Sequence, residues 1–277
     1  MTSQSQAPAQ PSPYTMGYSE EFLGLLERRN AETVASHLLP HLRPGMKVLD
    51  CGCGPGTISV GLAKAVAPGE LQGVDIEASQ IAMAQSAARA GGHDNAQFQV
   101  GDATNLPFAD STFDVVHCHA VLMHVPKLAQ ALAEVKRVLK PGGILSARES
   151  VIEAYIFEPD PQGHLKQATD TFAQLLTANG GHPHLGKALK TILLEAGFRD
   201  VRATASFEPF SEEEDRIFLQ GFIRNWFFSP KMKAPAIKHG LATENDFAAW
   251  GEALDAWRAH KGGFGAFSWG EAIAHRA

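Results

Sequence analysis

The stretch that most constrains this chain is VLDCGCGPG, residues 48 to 56, in which Gly52, Gly54 and Gly56 occupy every second position. Glycine loses more backbone freedom on folding than any other residue, so three of them within five positions need a structural reason. The apolar residues before them indicate a short buried strand, and residues 57–66 have a helical pattern. Glycines at such a strand-to-helix turn allow a ligand to approach the backbone closely. The stretch therefore predicts a ligand site.

Short apolar runs alternate with helical patterns up to about residue 150. The predicted strands are KVLDCG, LQGVDI, AQFQVGD, FDVVHCHAV and ILSARES, with helices over 57–66, 79–90 and 126–140. This alternation is typical of βαβ units around a parallel sheet. Right-handed crossovers bring the carboxyl ends of all these strands to one edge, where open α/β sheets bind ligands.

The remaining segments predict additions to this core. Residues 1–13 are polar and proline-rich, which indicates a disordered tail, and a helical pattern covers 19–37. After residue 150 we expect an irregular, partly helical stretch over 151–185, a helix over 186–196 and a strand in GFRDVRATASF. Further helices are expected over 211–260, and a last strand in FGAFSWGEAIAHRA. Residues 14–277 are therefore predicted as one domain, divided into 14–43, 44–150 and 151–277.

Composition excludes several classes of protein. The net charge is −6 and basic residues are scattered, which argues against a nucleic-acid partner. The three cysteines, Cys51, Cys53 and Cys118, give neither a disulfide framework nor the four ligands of a closed zinc site, so no metal is expected. No apolar stretch approaches 18 residues and no secretory signal is present, so we expect a cytoplasmic protein without a membrane partner.

Three acids stand at the ends of neighbouring predicted strands. Asp50 precedes the glycines, Asp75 ends the second strand and Asp102 ends the third. The carboxylate of Asp75 could accept both hydroxyls of a ribose, and that of Asp102 could accept from an exocyclic amine such as that of adenine. A dinucleotide fingerprint would place its third glycine where Thr57 stands. The set therefore favours a nucleoside with a cationic substituent over one with phosphates.

Each of these residues also has a structural interpretation. Asp50 could cap the following turn, Asp75 could be a helix N-cap, and Asp102 could form a turn before Pro107. Ile76, directly after Asp75, could equally be part of the core.

The stretches VLDCGCGPG, GVDI, VGDATNLPFADSTFDVV and VLKPGGIL together resemble the class I S-adenosylmethionine-dependent methyltransferases, over roughly residues 44 to 150. The resemblance is greatest to the group named after quinone-biosynthesis methyltransferases. It implies a Rossmann-like, seven-stranded, mostly parallel α/β sheet with helices on both faces, an N-terminal helical lid and a C-terminal helical insertion. It further implies S-adenosyl-L-methionine as the cofactor and a small-molecule acceptor, with a homodimer left open.

The resemblance also implies roles for individual positions. The glycines and Asp50 would hold the methionine part of the cofactor, and Asp75 and Ile76 its ribose and adenine. Asp102 and Ala103 would bind adenine, and His119 would lie near the sulfonium and the acceptor. The cysteines at positions 51 and 53 depart from the small or apolar residues usual there, but both are small enough to fit.

Histidines cluster around the fourth strand. His117 and His119 face the same side of an alternating strand, and His124 follows closely. His119 and His124 are candidate general bases, because imidazole titrates near neutral pH, with a purely structural role as the alternative. His182 and His184 are interpreted as surface groups of a loop that could border the acceptor pocket.

Aromatic residues before and after the segment 44–150 each have two interpretations. Tyr14 could close over the cofactor and bind its carboxylate, or pack as a hydrophobic staple. The stripe Phe218, Phe222, Trp226, Phe227 and Phe228 is either core or the wall of a pocket for an apolar or aromatic metabolite. Two alternative hypotheses for the function of the protein remain: a catalytically silent S-adenosylmethionine-binding module and a nicotinamide-dependent oxidoreductase.

Overall fold

The computed structural model describes residues 20–277. The strands are β1 (Lys47–Cys51), β2 (Glu70–Asp75), β3 (Ala96–Val100), β4 (Phe113–His119), β5 (Leu139–Ser150), β6 (Ile156–Glu158), β7 (Phe198–Phe210) and β8 (Phe264–Arg276). The α-helices are α1 (Glu20–Glu27), α2 (Ala31–Val34), α3 (Thr57–Val66), α4 (Ala78–Ala90), α5 (Leu128–Val138), α6 (His164–Ala178), α7 (Leu185–Glu195), α8 (Glu213–Phe222), α9 (Pro230–Lys238) and α10 (Glu244–Ala259). Short 3₁₀ turns cover Leu39–His41, Leu122–His124 and Ile152–Ala154, and a π-helical turn covers Ile223–Phe227.

All eight strands form one sheet in the order β3-β2-β1-β4-β5-β8, with β7 on the far side of β8 and β6 beside the start of β8. Strands β1 to β5 are mutually parallel, and β8 is antiparallel to its neighbours. The predicted α/β sheet is thus confirmed, with one strand more than expected. The additional strand, β6, has three residues, too few to show an alternating pattern in the sequence.

The central strands are buried on both faces. Val48 and Leu49 are consecutive in β1, and they pack into two different apolar clusters. The cluster around Val48 includes Leu62 of α3, and the cluster around Leu49 includes Leu132 of α5. Since helices cover both faces, the strands appear in the sequence as continuous apolar runs rather than alternating ones.

The helix predicted over residues 19–37 is wrong as a single element. α1 ends at Glu27, and α2 begins only after Asn30. Asn30 adopts an extended conformation, and its side chain accepts a hydrogen bond from the backbone N–H of Thr33, so it starts a new helix. The break turns Arg29 inward, where only 6% of its surface remains exposed.

The helical insertion predicted over residues 211–260 lies between β7 and β8. It consists of α8, the π-helical turn, α9 and α10, and it packs against α1 and α6. Within residues 20–277, no helix combines the length and the apolar character needed to cross a membrane.

Helix α7 lies unusually close to the sheet. A Cβ atom on Gly186 would be 2.2 Å from the carbonyl oxygen of Glu149 and 2.7 Å from the backbone nitrogen of Gly270. These neighbours are backbone atoms of β5 and β8, so they cannot move aside as a flexible side chain could.

We expect Gly186→Ala to lower the free energy of unfolding by about 2 kcal/mol, because α7 must shift outward to admit the methyl group. Urea unfolding followed by circular dichroism measures the change. Gly221→Ala is the matched control: Gly221 is also helical but has no atom within 4 Å of its Cβ position, so this variant should gain up to about 1 kcal/mol of stability. Equal stability of the Gly186 variant and the wild type would contradict the close packing.

Candidate active site

The glycine loop folds back toward β2, since Gly52 and Cys53 both donate their N–H groups to the carbonyl of Val74. Gly52, Gly54 and Gly56 all have positive φ, at 77°, 52° and 84°. A Cβ on Gly52 would lie 2.2 Å from the Val121 side chain, and one on Gly56 would lie 2.8 Å from Cα of Ala84. Only Gly54 has open space above it, with no atom nearer than 3.8 Å.

A cavity of about 640 Å³ opens at the carboxyl edge of the sheet, within the usual range for small-molecule sites. We call its two ends the loop half and the aromatic half. The loop half is lined by Gly52, Gly54, Asp75, Ile76, Gln80, Asp102 and Ala103. The aromatic half is lined chiefly by Tyr155, Phe157, Phe172, Phe222, Trp226, Phe227, Phe228, Phe267 and Trp269.

Asp75 connects the loop to the start of α4. One carboxylate oxygen accepts the N–H of Gly54 at 2.9 Å and the other accepts the N–H of Glu77 at 3.0 Å. The N-cap of α4 is Glu77, so Asp75 does not have the capping role. Burial raises the pKa of the Asp75 carboxyl. Each oxygen retains capacity for a further hydrogen bond, which suits two ligand hydroxyls.

Asp102 and Ile76 border the same half. The carboxylate of Asp102 accepts hydrogen bonds from the backbone and hydroxyl of Thr104, as the turn interpretation expected, yet Asp102 and Ala103 also line the cavity. Ile76 is 55% exposed, so it is an apolar surface beside the cavity rather than part of the core.

Asp50 and Gly56 lie beneath the cavity rather than on its surface. Asp50 is 2% exposed, and its carboxylate accepts a hydrogen bond of 2.5 Å from the hydroxyl of Ser59 in α3. Burial raises the pKa of Asp50 to about 6. Gly56 packs against Ala84 of α4. Both residues therefore shape the loop from below, which differs from the direct contact that the resemblance implied.

His119 lines the cavity between its two halves. Its ring packs 5.1 Å from that of Trp269, and neither ring nitrogen has a hydrogen-bond partner among the described residues. Burial, together with the positive charges of Arg29 and Arg148, holds the pKa of His119 well below its ordinary value. His119 is therefore neutral near pH 7. His124 also lines the cavity, and burial lowers its pKa to about 4.

His117 has a structural position one layer deeper. Its Nδ1 lies 3.1 Å from the hydroxyl of Ser146, which is also 3.0 Å from Nε2 of His37. His117 is fully buried and does not line the cavity, and burial lowers its pKa to about 3.

Sequence reasoning missed Arg29, which lines the cavity from the break between α1 and α2. Its guanidinium lies 5.1 Å from the ring centre of Trp269, and its nearest carboxylate, Glu208, is 3.7 Å away. Its buried Nε has no hydrogen-bond partner among the described residues. No local pattern could have indicated this position, because its neighbours come from β7 and β8.

Sequence reasoning also missed Glu149, at the end of β5. Its buried carboxylate accepts the backbone N–H groups of Val121, Leu122 and Met123 at 3.2, 2.9 and 3.1 Å. Burial raises the pKa of Glu149 to about 8. These bonds fix the loop after β4, which carries His124 and places Val121 against Gly52.

The aromatic stripe proves to be both core and pocket wall. Phe222, Trp226 and Phe227 are buried and line the cavity, as does the half-buried Phe228. Phe218 lies outside it, beneath the guanidinium of Arg28 at 4.4 Å. The π-helical turn carries Trp226 and Phe227, and such turns occur frequently at functional sites.

Other candidates lie elsewhere. Tyr14 falls outside the described residues, so its predicted contact with the cofactor stays a prediction. His182 and His184 do not line the cavity, although the backbone of His182 donates to the carbonyl of Met123. Within residues 20–277 no three His, Cys, Asp or Glu side chains are grouped so that they could hold a metal ion.

Comparison with known proteins identifies the class to which this fold and site belong. A family model described as a methyltransferase domain matches residues 42–197, more than half of the chain. An uncharacterized methyltransferase of Schizosaccharomyces pombe is 32% identical over 206 residues, which cover 69% of this chain and 73% of that protein. The chain therefore belongs to the class I S-adenosylmethionine-dependent methyltransferases, and S-adenosylmethionine is its cofactor.

The relatives also point to the quinone-biosynthesis type within that class. A demethylmenaquinone methyltransferase of Lactiplantibacillus plantarum is 34% identical over 174 residues, covering 58% of this chain and 73% of that enzyme. The crystal structure of the YcgJ protein from Bacillus subtilis shares the fold, with a TM-score of 0.57 at 20% identity, covering 91% of this chain and 96% of that one.

The buried histidine beneath the site predicts acid sensitivity. His117 stays neutral in the folded protein down to about pH 3, whereas its ordinary pKa is 6.5. Between these values the unfolded chain binds more protons, so stability is lost as the pH falls through this window. We expect His117→Gln to lose less stability than the wild type between about pH 7 and about pH 5, measured by urea unfolding.

His239→Gln is the control for this comparison, because His239 is exposed at the end of α9. That variant controls for the loss of a histidine from the surface. If His117→Gln kept the wild-type dependence on pH, the neutral state of the buried imidazole would not be a source of acid sensitivity.

Proposed function

We propose that this protein transfers the methyl group of S-adenosylmethionine to a small apolar or aromatic acceptor. The observation that carries the proposal is the continuity of the cavity, whose loop half matches an adenosine and whose other half is walled by aromatic side chains. Aromatic walls with few polar groups are typical of pockets for small apolar molecules.

The loop half offers suitable groups for each part of the cofactor. Asp75 has acceptor capacity for the ribose hydroxyls, and Ile76 presents an apolar surface for adenine. Gly54 leaves its backbone uncovered, and beside it the side-chain oxygen of Gln80 is buried with no hydrogen-bond partner among the described residues. That oxygen can accept from an ammonium or hydroxyl group. The guanidinium of Arg29 is the natural partner of a carboxylate in this cavity.

The bound cofactor supplies an electrophilic methyl group on a sulfonium centre. The chain itself has to align the acceptor with that group and exclude water, which is a large part of catalysis for such a transfer. α1 closes one side of the cavity with Phe22, Leu25 and Leu26, which supports its role as a lid. His119 and His124 are neutral, so each imidazole can accept a hydrogen bond from the acceptor, but the low pKa of both makes them weak bases.

Asp75→Ala tests the cofactor half of the proposal. We expect about a hundredfold weaker binding of S-adenosylhomocysteine, equivalent to about 2.7 kcal/mol, in calorimetric titration. Asp110→Ala is the control, because Asp110 pairs with Arg137 at the surface, away from the cavity, and its loss should leave the affinity unchanged. Equal affinities of the wild type and the Asp75 variant would refute the role given to that carboxylate.

Arg29→Gln tests the partner of the cofactor carboxylate. We expect S-adenosylhomocysteine to bind about tenfold or more weakly, because a charge-assisted pair inside the cavity is lost. 5′-Methylthioadenosine lacks the amino-acid part, so its affinity should stay the same in the variant. A parallel loss for both ligands would mean that Arg29 supports the fold of the pocket instead.

A further inference from the structure

A pair of hydroxyl groups stands out in the aromatic half of the cavity. Ser150 ends β5, and Tyr155 follows it through the short turn Ile152–Ala154. Their hydroxyl oxygens are 3.1 Å apart, and both residues line the cavity. The Tyr155 ring stacks on Phe267 at 4.5 Å, which fixes the position of its hydroxyl.

This pair has one hydrogen-bond donor left over. Two hydroxyls carry two hydrogens, and the bond between them uses one, whichever residue donates it. Neither hydroxyl has another hydrogen-bond partner among the described residues. A donor in such surroundings is expected to find a partner in the bound ligand, because leaving it unpaired in a closed site costs about 1–3 kcal/mol.

The surroundings keep the pair protonated. Burial raises the pKa of Tyr155 to about 12, so the phenol is a donor and not a base near neutral pH. Among the described residues that line the cavity, the carboxylates Asp75 and Asp102 both belong to the loop half. The Ser150–Tyr155 pair therefore offers a hydrogen-bond donor to an electron-rich atom of the ligand. No carboxylate among the described lining residues of the aromatic half is available to bind a cation.

The number of lone pairs on the attacking atom distinguishes the possible acceptors. A hydroxyl oxygen has two lone pairs, so it can accept a hydrogen bond from the Ser150–Tyr155 pair with one and attack the methyl group with the other. A neutral amine has a single lone pair, which it needs for the attack. A carbon nucleophile has none to spare for a hydrogen bond.

We propose that the acceptor is an aromatic hydroxyl compound, methylated on the oxygen that the Ser150–Tyr155 pair holds. This inference rests on the proposed function and names its substrate class. The acceptor oxygen forms the new bond to the methyl carbon while the carbon–sulfur bond breaks and its electrons stay on sulfur. The hydroxyl proton is released to solvent as the acceptor ionises, because the donor of the Ser150–Tyr155 pair favours the phenolate. Ser150 and Tyr155 are positioning residues that set the direction of the attacking oxygen.

Two probes of equal size test the proposal without turnover. 4-Nitrophenol and 4-nitroaniline differ only in the heteroatom, and their absorption bands report binding to the complex with S-adenosylhomocysteine. We expect the wild type to bind 4-nitrophenol at least about tenfold more tightly, and its ionisation midpoint to fall by about one pH unit on binding, because the donor favours the phenolate. Tyr155→Phe should remove both the preference and the shift.

Two further variants make the test specific. Ser150→Ala should have the same direction of effect as Tyr155→Phe, which guards against a local change from either substitution alone. Thr169→Val removes a different hydroxyl from the cavity lining, one that donates to the carbonyl of Lys166, and it should leave both probes unchanged.

The outcomes separate this proposal from the one on which it rests. If the wild type binds S-adenosylhomocysteine but shows no preference for 4-nitrophenol, or keeps that preference in both hydroxyl variants, the hydroxyl acceptor is overturned and the methyltransferase remains. An equal effect of Thr169→Val overturns it as well. If the wild type does not bind S-adenosylhomocysteine, the proposed function itself fails.

Discussion

The site depends on one close contact between two loops that are far apart in the chain. The side chain of Val121 fills the space where any side chain at position 52 would have to lie, so Gly52 and Val121 fit each other. Glu149 holds Val121 in place by accepting its N–H and those of the next two residues. β1 and β4 are already neighbours in the sheet, and this contact fixes the spacing of the loops that follow them, where the cavity opens. The contact thereby sets the position of the glycine loop relative to the loop that carries His124.

The sequence was most informative where function needs a local pattern. The alternating glycines, and the acids at the ends of β2 and β3, could be assigned to a strand edge because parallel strands bring their carboxyl ends together. Asp75, Ile76, Asp102 and Ala103 do line the cavity. The spacing of the glycines also argued against a dinucleotide, because Thr57 stands where its fingerprint requires a third glycine.

The parts that could not be predicted depend on contacts between distant segments. Arg29 looks like one of two basic residues at the end of a helix, and only the break at Asn30 and the packing of Trp269 make it part of the cavity. Asp50 was expected at the ligand, but the side chain of Ser59 occupies its carboxylate from below. The sequence also could not decide whether the aromatic stripe belongs to the core or to the pocket wall, because the helical spacing of the residues is the same in both cases.

Helix α1 forms a wall that both ligands would share. Leu26 accepts a hydrogen bond from Thr57 beside the glycine loop, while the ring of Phe22 packs at a tilt against that of Trp226 in the aromatic half, with 5.9 Å between the ring centres. A ligand in either half that draws α1 closer also changes the space available in the other. The affinities for cofactor and acceptor are then linked, and the linkage is reciprocal. If bound cofactor changes the affinity for the acceptor by a certain factor, bound acceptor changes the affinity for the cofactor by the same factor.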